Sequence, residues 1–320
     1  MKVLIADKFE DAGQAALREA GFELVLDPSL EGESLKKRVA DFNPKILVVR
    51  STRVTKEILE AGPDLGLVIR AGSGYNTIDI DAAADRGVAV ANCPGKNAEA
   101  VAELALGLIL AIDRRIPHNV MELRKGVWNK KEFSKARGLK GRTLGIVGLG
   151  KIGRLVAMRA LAFEMKIIYS DIVRNEQMEK EHGVRYVSLD DLVREADYIT
   201  LHVPLTGETE HIINAARLDK MKPTAAVINT SRGDVVDTKA LAAALKQGKI
   251  AWAALDVYED EPGANDKVFG LPLAEVDHLY GTHHIGASTE QAQLAVAEEA
   301  VRIARTFKET GEVLNWVNKR

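Results

Sequence analysis

The stretch Thr143-Leu144-Gly145-Ile146-Val147-Gly148-Leu149-Gly150-Lys151-Ile152-Gly153 sets an aliphatic run directly against a G-x-G-x-x-G pattern. Glycine is common, so the pattern takes its meaning from what surrounds it. Residues 144–147 read as a short buried strand, and residues 154–163 continue as a helix. The next strand-like run, 166–169, leads to Asp171, which lies 18 residues beyond Gly153. That is the layout of a dinucleotide-binding βαβ unit. Gly148 permits the tight turn, Gly150 lets backbone approach a pyrophosphate, and Gly153 lets helix and strand pack closely. The helix N-terminus offers unpaired N–H groups and partial positive charge to phosphates. Asp171 would accept hydrogen bonds from the adenosine ribose and repel a 2′-phosphate, so the expected cofactor is NAD rather than NADP. Arg174, close by, would soften that preference.

Working outward, the same rhythm fills the chain. Aliphatic runs at 3–6, 23–26, 46–49, 67–69 and 88–90 alternate with helical stretches at 11–20, 34–41, 56–61 and 80–86. The alternation restarts at Thr143 with strand-like runs at 144–147, 166–169, 198–201, 225–228 and 253–255, and a helix over 288–310 closes it. Strict βα alternation predicts parallel sheets with helices on both faces. Between the two series, residues 97–114 form a long helix with little polar face, which predicts burial in a core or against a partner. The 320 residues suit two domains, with a junction near Asn97.

The bulk properties exclude several classes. Lys and Arg total 44 against 46 Asp and Glu, a net charge of −2, which argues against a general nucleic-acid or polybasic membrane binder. The single cysteine, Cys93, cannot form an internal disulfide or a cysteine-rich zinc site, and no metal is expected. The N-terminal apolar run is too short for a signal peptide, and the longest apolar stretch is broken by Glu103. The expectation is a soluble, cytoplasmic protein.

Three charged groups follow the glycine motif near predicted strand ends: Arg232, Glu261 and His284. In an open α/β sheet ligands bind beyond the carboxyl ends of the strands. A guanidinium there suits a carboxylate, and a carboxylate beside an imidazole favours its protonated form and orients the ring. Such a pair can exchange a proton with a carbonyl or hydroxyl as hydride moves.

Together these stretches resemble the D-isomer-specific 2-hydroxyacid dehydrogenases over almost the whole chain. The motifs are Val49-Arg50-Ser51, Arg70-Ala71-Gly72-Ser73-Gly74-Tyr75-Asn76, Ala102-Glu103, the glycine motif, His202-Val203-Pro204, Ser231-Arg232-Gly233, Glu261-Pro262 and His284-Ile285-Gly286-Ala287-Ser288-Thr289. The resemblance is strongest to the branch that oxidises 3-phosphoglycerate, the entry to serine synthesis.

It implies two doubly wound domains, Rossmann-like and flavodoxin-like, with an interdomain cleft that closes about a hinge. Residues 1–95 plus 293–320 would bind substrate, and 96–292 would bind NAD. His284 would be the acid/base, Glu261 its partner and Arg232 the substrate anchor. Ser73, Gly74 and Asn76 match the loop that holds the substrate carboxylate through backbone amides. Lys151 and Ile152 would place amides on the pyrophosphate. His202, Val203, Pro204 and Thr209 match adenosine-side contacts, and Thr230 and Asp256 contacts near the nicotinamide. Arg50 and Arg70 would meet a substrate phosphate. Apart from the resemblance, Arg53 at a predicted strand end and Lys130 and Lys131, in a stretch reaching from a dimer partner, are expected to join them. The family also implies a homodimer joined through the 98–116 helix region, and the length matches its short, catalytic-only form.

The chain departs from the family at His283, where a proline usually precedes the catalytic histidine, and at Ile172, where a proline often follows the ribose aspartate. Losing a fixed φ at 283 would loosen the histidine loop. The alternatives are a glyoxylate or hydroxypyruvate reductase and, in a different class, an NAD(H)-binding co-repressor.

Overall fold

Short aliphatic runs become strands wherever both faces are covered. In the computed structural model, which describes residues 1–262, 268–270 and 273–320, every residue of the runs 46–49, 198–201 and 226–229 is buried. Strands buried on both faces belong to parallel sheets with helices above and below. The chain divides into two compact units, Met1–Asn97 with Ala287–Arg320, and Ala98–Gly286. The first junction lies within three residues of the expected 95/96, while the second falls at Gly286, ahead of the expected 292/293.

The first unit holds β1 (Lys2–Ile5), β2 (Glu23–Leu26), β3 (Ile46–Val49), β4 (Leu67–Arg70) and β5 (Ala89–Asn92), in the order β2-β1-β3-β4-β5. All its pairings are parallel. The helix Glu290–Thr310 returns to pack on helix Asp11–Glu19 and on β4. Thr289 caps it, accepting from Ala292 N–H, and Gly311 ends it at φ +76°. Asn318 then seals the edge of β5, accepting from Val90 N–H at 2.8 Å and donating to Val88 O at 3.0 Å.

The second unit holds β6 (Thr143–Val147), β7 (Lys166–Ser170), β8 (Arg185–Tyr186), β9 (Tyr198–Leu201), β10 (Ala226–Asn229), β11 (Trp252–Leu255) and β12 (Leu279–Gly281). Their order is β12-β11-β10-β9-β6-β7-β8, again parallel throughout. The order reverses between β6 and β9, and a ligand crevice is expected beyond the strand ends there. Strands β8 and β12 escape sequence reading because two or three partly exposed residues show no period.

The apolar helix, observed as Ala98–Arg114, belongs to this unit's own core. It packs on helix Lys151–Ala162 and on β10 and β11, with Ala102, Ala105, Ile109 and Ile112 nearly inaccessible. Its apolarity is therefore satisfied within the chain. Just beyond it, Ile116, Val120, Met121, Leu123, Val127 and Trp128 form an exposed apolar stretch. Among the described residues, no helix is long and apolar enough to cross a membrane.

Candidate active site

Three glycines shape the crevice at the end of β6. Gly148 sits at φ +92°, and a Cβ there would lie 2.9 Å from the His202 backbone and from Val203 Cγ1. A Cβ on Gly153 would lie 2.1 Å from Gly148 O, so helix and strand approach more closely than any side chain allows. At Gly150 the Cβ position faces open space. Lys151 opens the helix, and the amides of Ile152 and Gly153 in its first turn find no acceptor among the described residues. Asp171 lies beside this loop: Oδ2 accepts from Leu149 N–H at 2.6 Å and Oδ1 from Val173 N–H at 3.3 Å. Ile172, in place of the family's proline, is 95% exposed.

The opposite wall comes from β9 and β10. His202 Nε2 lies 2.9 Å from Thr200 Oγ1, while Nδ1 is buried without a partner. Loss of solvent pushes the ring's pKa down to about 3, so it is neutral. Thr230 Oγ1 is also buried without a partner. Thr209 Oγ1 donates to Pro204 O at 2.6 Å and accepts from Thr206 N–H at 2.8 Å, closing the turn after Val203. Buried polar atoms are ordinarily paired. Two orphans beside an open-faced glycine loop fit a nucleotide cofactor that brings the missing partners.

The three charged residues converge in this unit. At the end of β10 the buried Asn229 accepts from Ser231 N–H at 3.0 Å and donates to Arg232 O at 2.8 Å, which shapes the turn carrying Arg232. Gly233 then packs so tightly on the Tyr258–Glu259 backbone that a Cβ would fall 1.9 Å from Tyr258 O. That contact brings the arginine turn against the loop bearing Glu261. Glu261 Oε2 lies 2.6 Å from His284 Nδ1, and Oε1 accepts from Tyr258 N–H at 2.9 Å. Burial raises the Glu261 pKa, but the His284 hydrogen bond and charge, Tyr258 N–H and the Arg232 charge outweigh it, leaving it below the usual value. Burial also lowers the pKa of Arg232, against the pull of the Glu261 charge.

His284 adopts φ +51°, uncommon for a residue with a Cβ. Asp256, 1% exposed, holds it there. Its Oδ1 accepts from Ile285 N–H at 2.8 Å and from Thr282 Oγ1 at 2.6 Å, and Oδ2 accepts from Gly286 N–H at 2.8 Å. Asp256 thus clamps both sides of the histidine, and the loop is fixed without a proline at 283. His283 is exposed, and it is His284 that meets Glu261. A second pair, His211 Nε2 to Glu259 Oε1 at 2.6 Å, pins the Glu261 loop from its other side. Sequence reading missed the structural work of Asn229, Gly233, Asp256 and Glu259; the glycine directly after Arg232 was the one available signal.

The other expected substrate residues lie in the first unit. Ser73 Oγ donates to Asn97 Oδ1 at 2.8 Å and accepts from Gly95 N–H at 3.2 Å, while Asn92 donates to Ser73 O at 2.6 Å. This network fixes the 72–76 loop, where the Ser73 and Gly74 amides have no acceptor among the described residues and Asn76 is exposed. Arg70 folds across Gly72, where a Cβ would meet its guanidinium at 1.5 Å. Asp7 accepts from the amides of Arg50, Ser51 and Thr52, and Arg50 Nη1 donates to Gln293 Oε1 at 3.1 Å. Arg53 is exposed, and so are Lys130 and Lys131, which lie in the second unit.

A sequence profile of the D-isomer-specific 2-hydroxyacid dehydrogenase NAD-binding domain matches residues 106–286. The chain is 42% identical over 311 residues to a D-3-phosphoglycerate dehydrogenase of Methanocaldococcus jannaschii, covering 95% of this chain and 58% of that protein. It is 43% identical over 303 residues to a hydroxypyruvate reductase of Thermotoga maritima, covering 94% of this chain and 95% of that protein. A solved D-lactate dehydrogenase of Aquifex aeolicus, complexed with NAD and lactic acid, superposes with a TM-score of 0.83 at 32% identity, covering 100% of both chains. The glycine crevice with its orphaned polar atoms, the Arg232, Glu261 and His284 cluster, and these likenesses agree, and the chain belongs to the NAD-dependent D-isomer-specific 2-hydroxyacid dehydrogenases.

Proposed function

We propose that the chain oxidises D-3-phosphoglycerate to 3-phosphohydroxypyruvate. The observation that carries this reading is the set of arginines at the carboxyl ends of β3 and β4: Arg50, just past β3, Arg53 beyond it, and Arg70 closing β4. Guanidinium forks match a phosphate dianion, which a non-phosphorylated hydroxy acid would not need. The similarity to the Methanocaldococcus enzyme supports the same substrate.

Bound NAD supplies the hydride acceptor. The first-turn amides of Lys151 and Ile152 would hold its pyrophosphate and Asp171 its ribose. His202, Val203, Pro204 and Thr209 would flank its adenosine side, and Thr230 and Asp256 its nicotinamide side. Arg232 binds the substrate carboxylate. His284 Nε2 takes the proton of the 2-hydroxyl as hydride leaves C2, and Glu261 on Nδ1 stabilises the imidazolium so formed. In reverse His284 returns the proton to the carbonyl oxygen.

The test compares kcat/KM for 3-phosphoglycerate and D-glycerate, and in reverse for 3-phosphohydroxypyruvate, hydroxypyruvate and glyoxylate. The phosphorylated pair should win by more than about tenfold, and Arg50→Ala should erase most of that margin. A margin of that size for the non-phosphorylated acids would establish the reductase reading that the Thermotoga relative supports. Absence of turnover on all of them would favour the co-repressor reading.

The same reading includes a homodimer, joined through residues 116–128 rather than through the buried face of the preceding helix. Ile116, Met121, Leu123 and Trp128 are 48%, 53%, 51% and 79% exposed. A groove of about 650 Å³, lined by Phe133, Leu139 and Phe163 among others, lies in the same unit. Apolar surface concentrated in one segment is what a second copy would cover. Light scattering should give twice the 34.9 kDa chain mass, and Leu123→Glu should shift it toward monomer. A monomeric wild-type chain would rule the dimer out.

A further inference from the structure

Arg174 lies three residues past Asp171, where a guanidinium could meet a phosphate on the adenosine ribose. The fold gives it another partner. Arg174 Nε donates to Glu179 Oε1 at 2.8 Å and Nη2 donates to Oε2 at 2.6 Å, a two-pronged pair. Glu179 is itself fixed, because the fully buried Tyr169 donates its hydroxyl to Oε1 at 2.7 Å. That hydroxyl also accepts from Asn175 N–H at 2.7 Å, tying down the start of helix Glu176–His182. The guanidinium lies 5.9 Å from the Tyr186 ring centre, and Tyr186 stacks edge-on against Tyr169 at 5.4 Å. The Glu179 side chain is 16% exposed and that of Arg174 58% exposed, so the carboxylate is the anchored member and the arginine the one it captures.

We propose that Glu179 is a specificity-positioning residue, holding Arg174 away from the ribose beside Asp171 and so denying a 2′-phosphate its cation. Two layers then exclude NADP. Asp171 repels the phosphate, and Glu179 occupies the guanidinium that would compensate. The Arg174 hydrogen bonds, with that of Tyr169, hold the Glu179 pKa down to about 2, so the latch stays charged throughout the neutral range. The expectation that Arg174 softens the cofactor preference is thereby reversed. The inference rests on the placement of the ribose at Asp171.

The experiment measures Kd for NADH and NADPH by fluorescence titration of the intact protein, without substrate. Glu179→Ala should tighten NADPH binding by about tenfold relative to NADH, the worth of one charge-assisted pair. Glu179→Gln, which keeps an acceptor for Tyr169, should move the ratio the same way by less. In Glu179→Ala combined with Arg174→Ala the gain should vanish. A gain that persists without Arg174 would mean that lost negative charge alone is responsible, and would overturn the latch. An unchanged ratio in both Glu179 variants would overturn it too, and if Glu179→Ala fails to bind NADH the Gln variant decides. Asp171→Asn separates the two levels: if it relaxes the ratio while the Glu179 variants do not, only the latch fails. If neither position moves the ratio, the ribose placement itself is wrong.

Discussion

Replacing His284 with alanine is expected to cut kcat by about 10²–10⁴-fold while leaving the Kd for NADH close to wild type. The geometry predicts this split. The imidazole has one nitrogen committed to Glu261 at 2.6 Å, so the side chain's remaining nitrogen is the one that can exchange a proton with substrate. The cofactor residues proposed above sit on the glycine loop and past the ends of β7, β9, β10 and β11, and none of them bonds this ring; Asp256 holds the backbone on either side of it. His283→Ala is the control. Its side chain is exposed and apart from Glu261, so its kcat should stay within about twofold of wild type, a change worth under ~0.5 kcal/mol. Near-normal turnover in His284→Ala would remove the acid/base assignment.

Asp256→Asn should lower kcat by about 10²-fold, the scale of a reacting group displaced by about 1 Å. The carboxylate accepts from Thr282, Ile285 and Gly286, on both sides of His284. An amide in its place would turn an N–H donor toward one of these donors. Holding a Cβ-bearing residue at φ +51° costs ~1–2 kcal/mol, which the clamp must offset. Acting through His284, Asp256→Asn should add little to the loss already present in His284→Ala, and that non-additivity separates positioning from a direct role at the nicotinamide. Multiplying losses would show that Asp256 acts on the reaction independently.

The same loop carries a pH dependence of known sign. The pKa of Glu261 is lowered in the folded protein, so its support of the His284 loop is fully present above the ordinary carboxylate pKa. That support fades as pH falls through the lowered value. The latch carboxylate, Glu179, follows the same rule down to about 2.

Most of the scaffold was legible because its determinants are local. Four-residue aliphatic runs between amphipathic helices require a parallel sheet covered on both faces, and Gly148, Gly150 and Gly153 mark turn, open face and close packing in adjacent positions. The charged residues were legible through their motifs, each a few residues long. The apolar helix 98–114 was ambiguous for a physical reason: an apolar face reads alike whether its own unit or a second copy covers it.

What the sequence by itself determined is thus the βα rhythm, the glycine turn of the nucleotide-binding domain and the motifs that carry Arg232, Glu261 and His284. Tertiary structure decided which groups hold them. Asp256 meets its partners 26 to 30 residues away, Gly233 meets Tyr258, and Glu179 captures Arg174 across a turn. Periodicity reports which face of an element is buried. It carries no record of which loop a buried carboxylate will face, because that depends on where packed strands end in space.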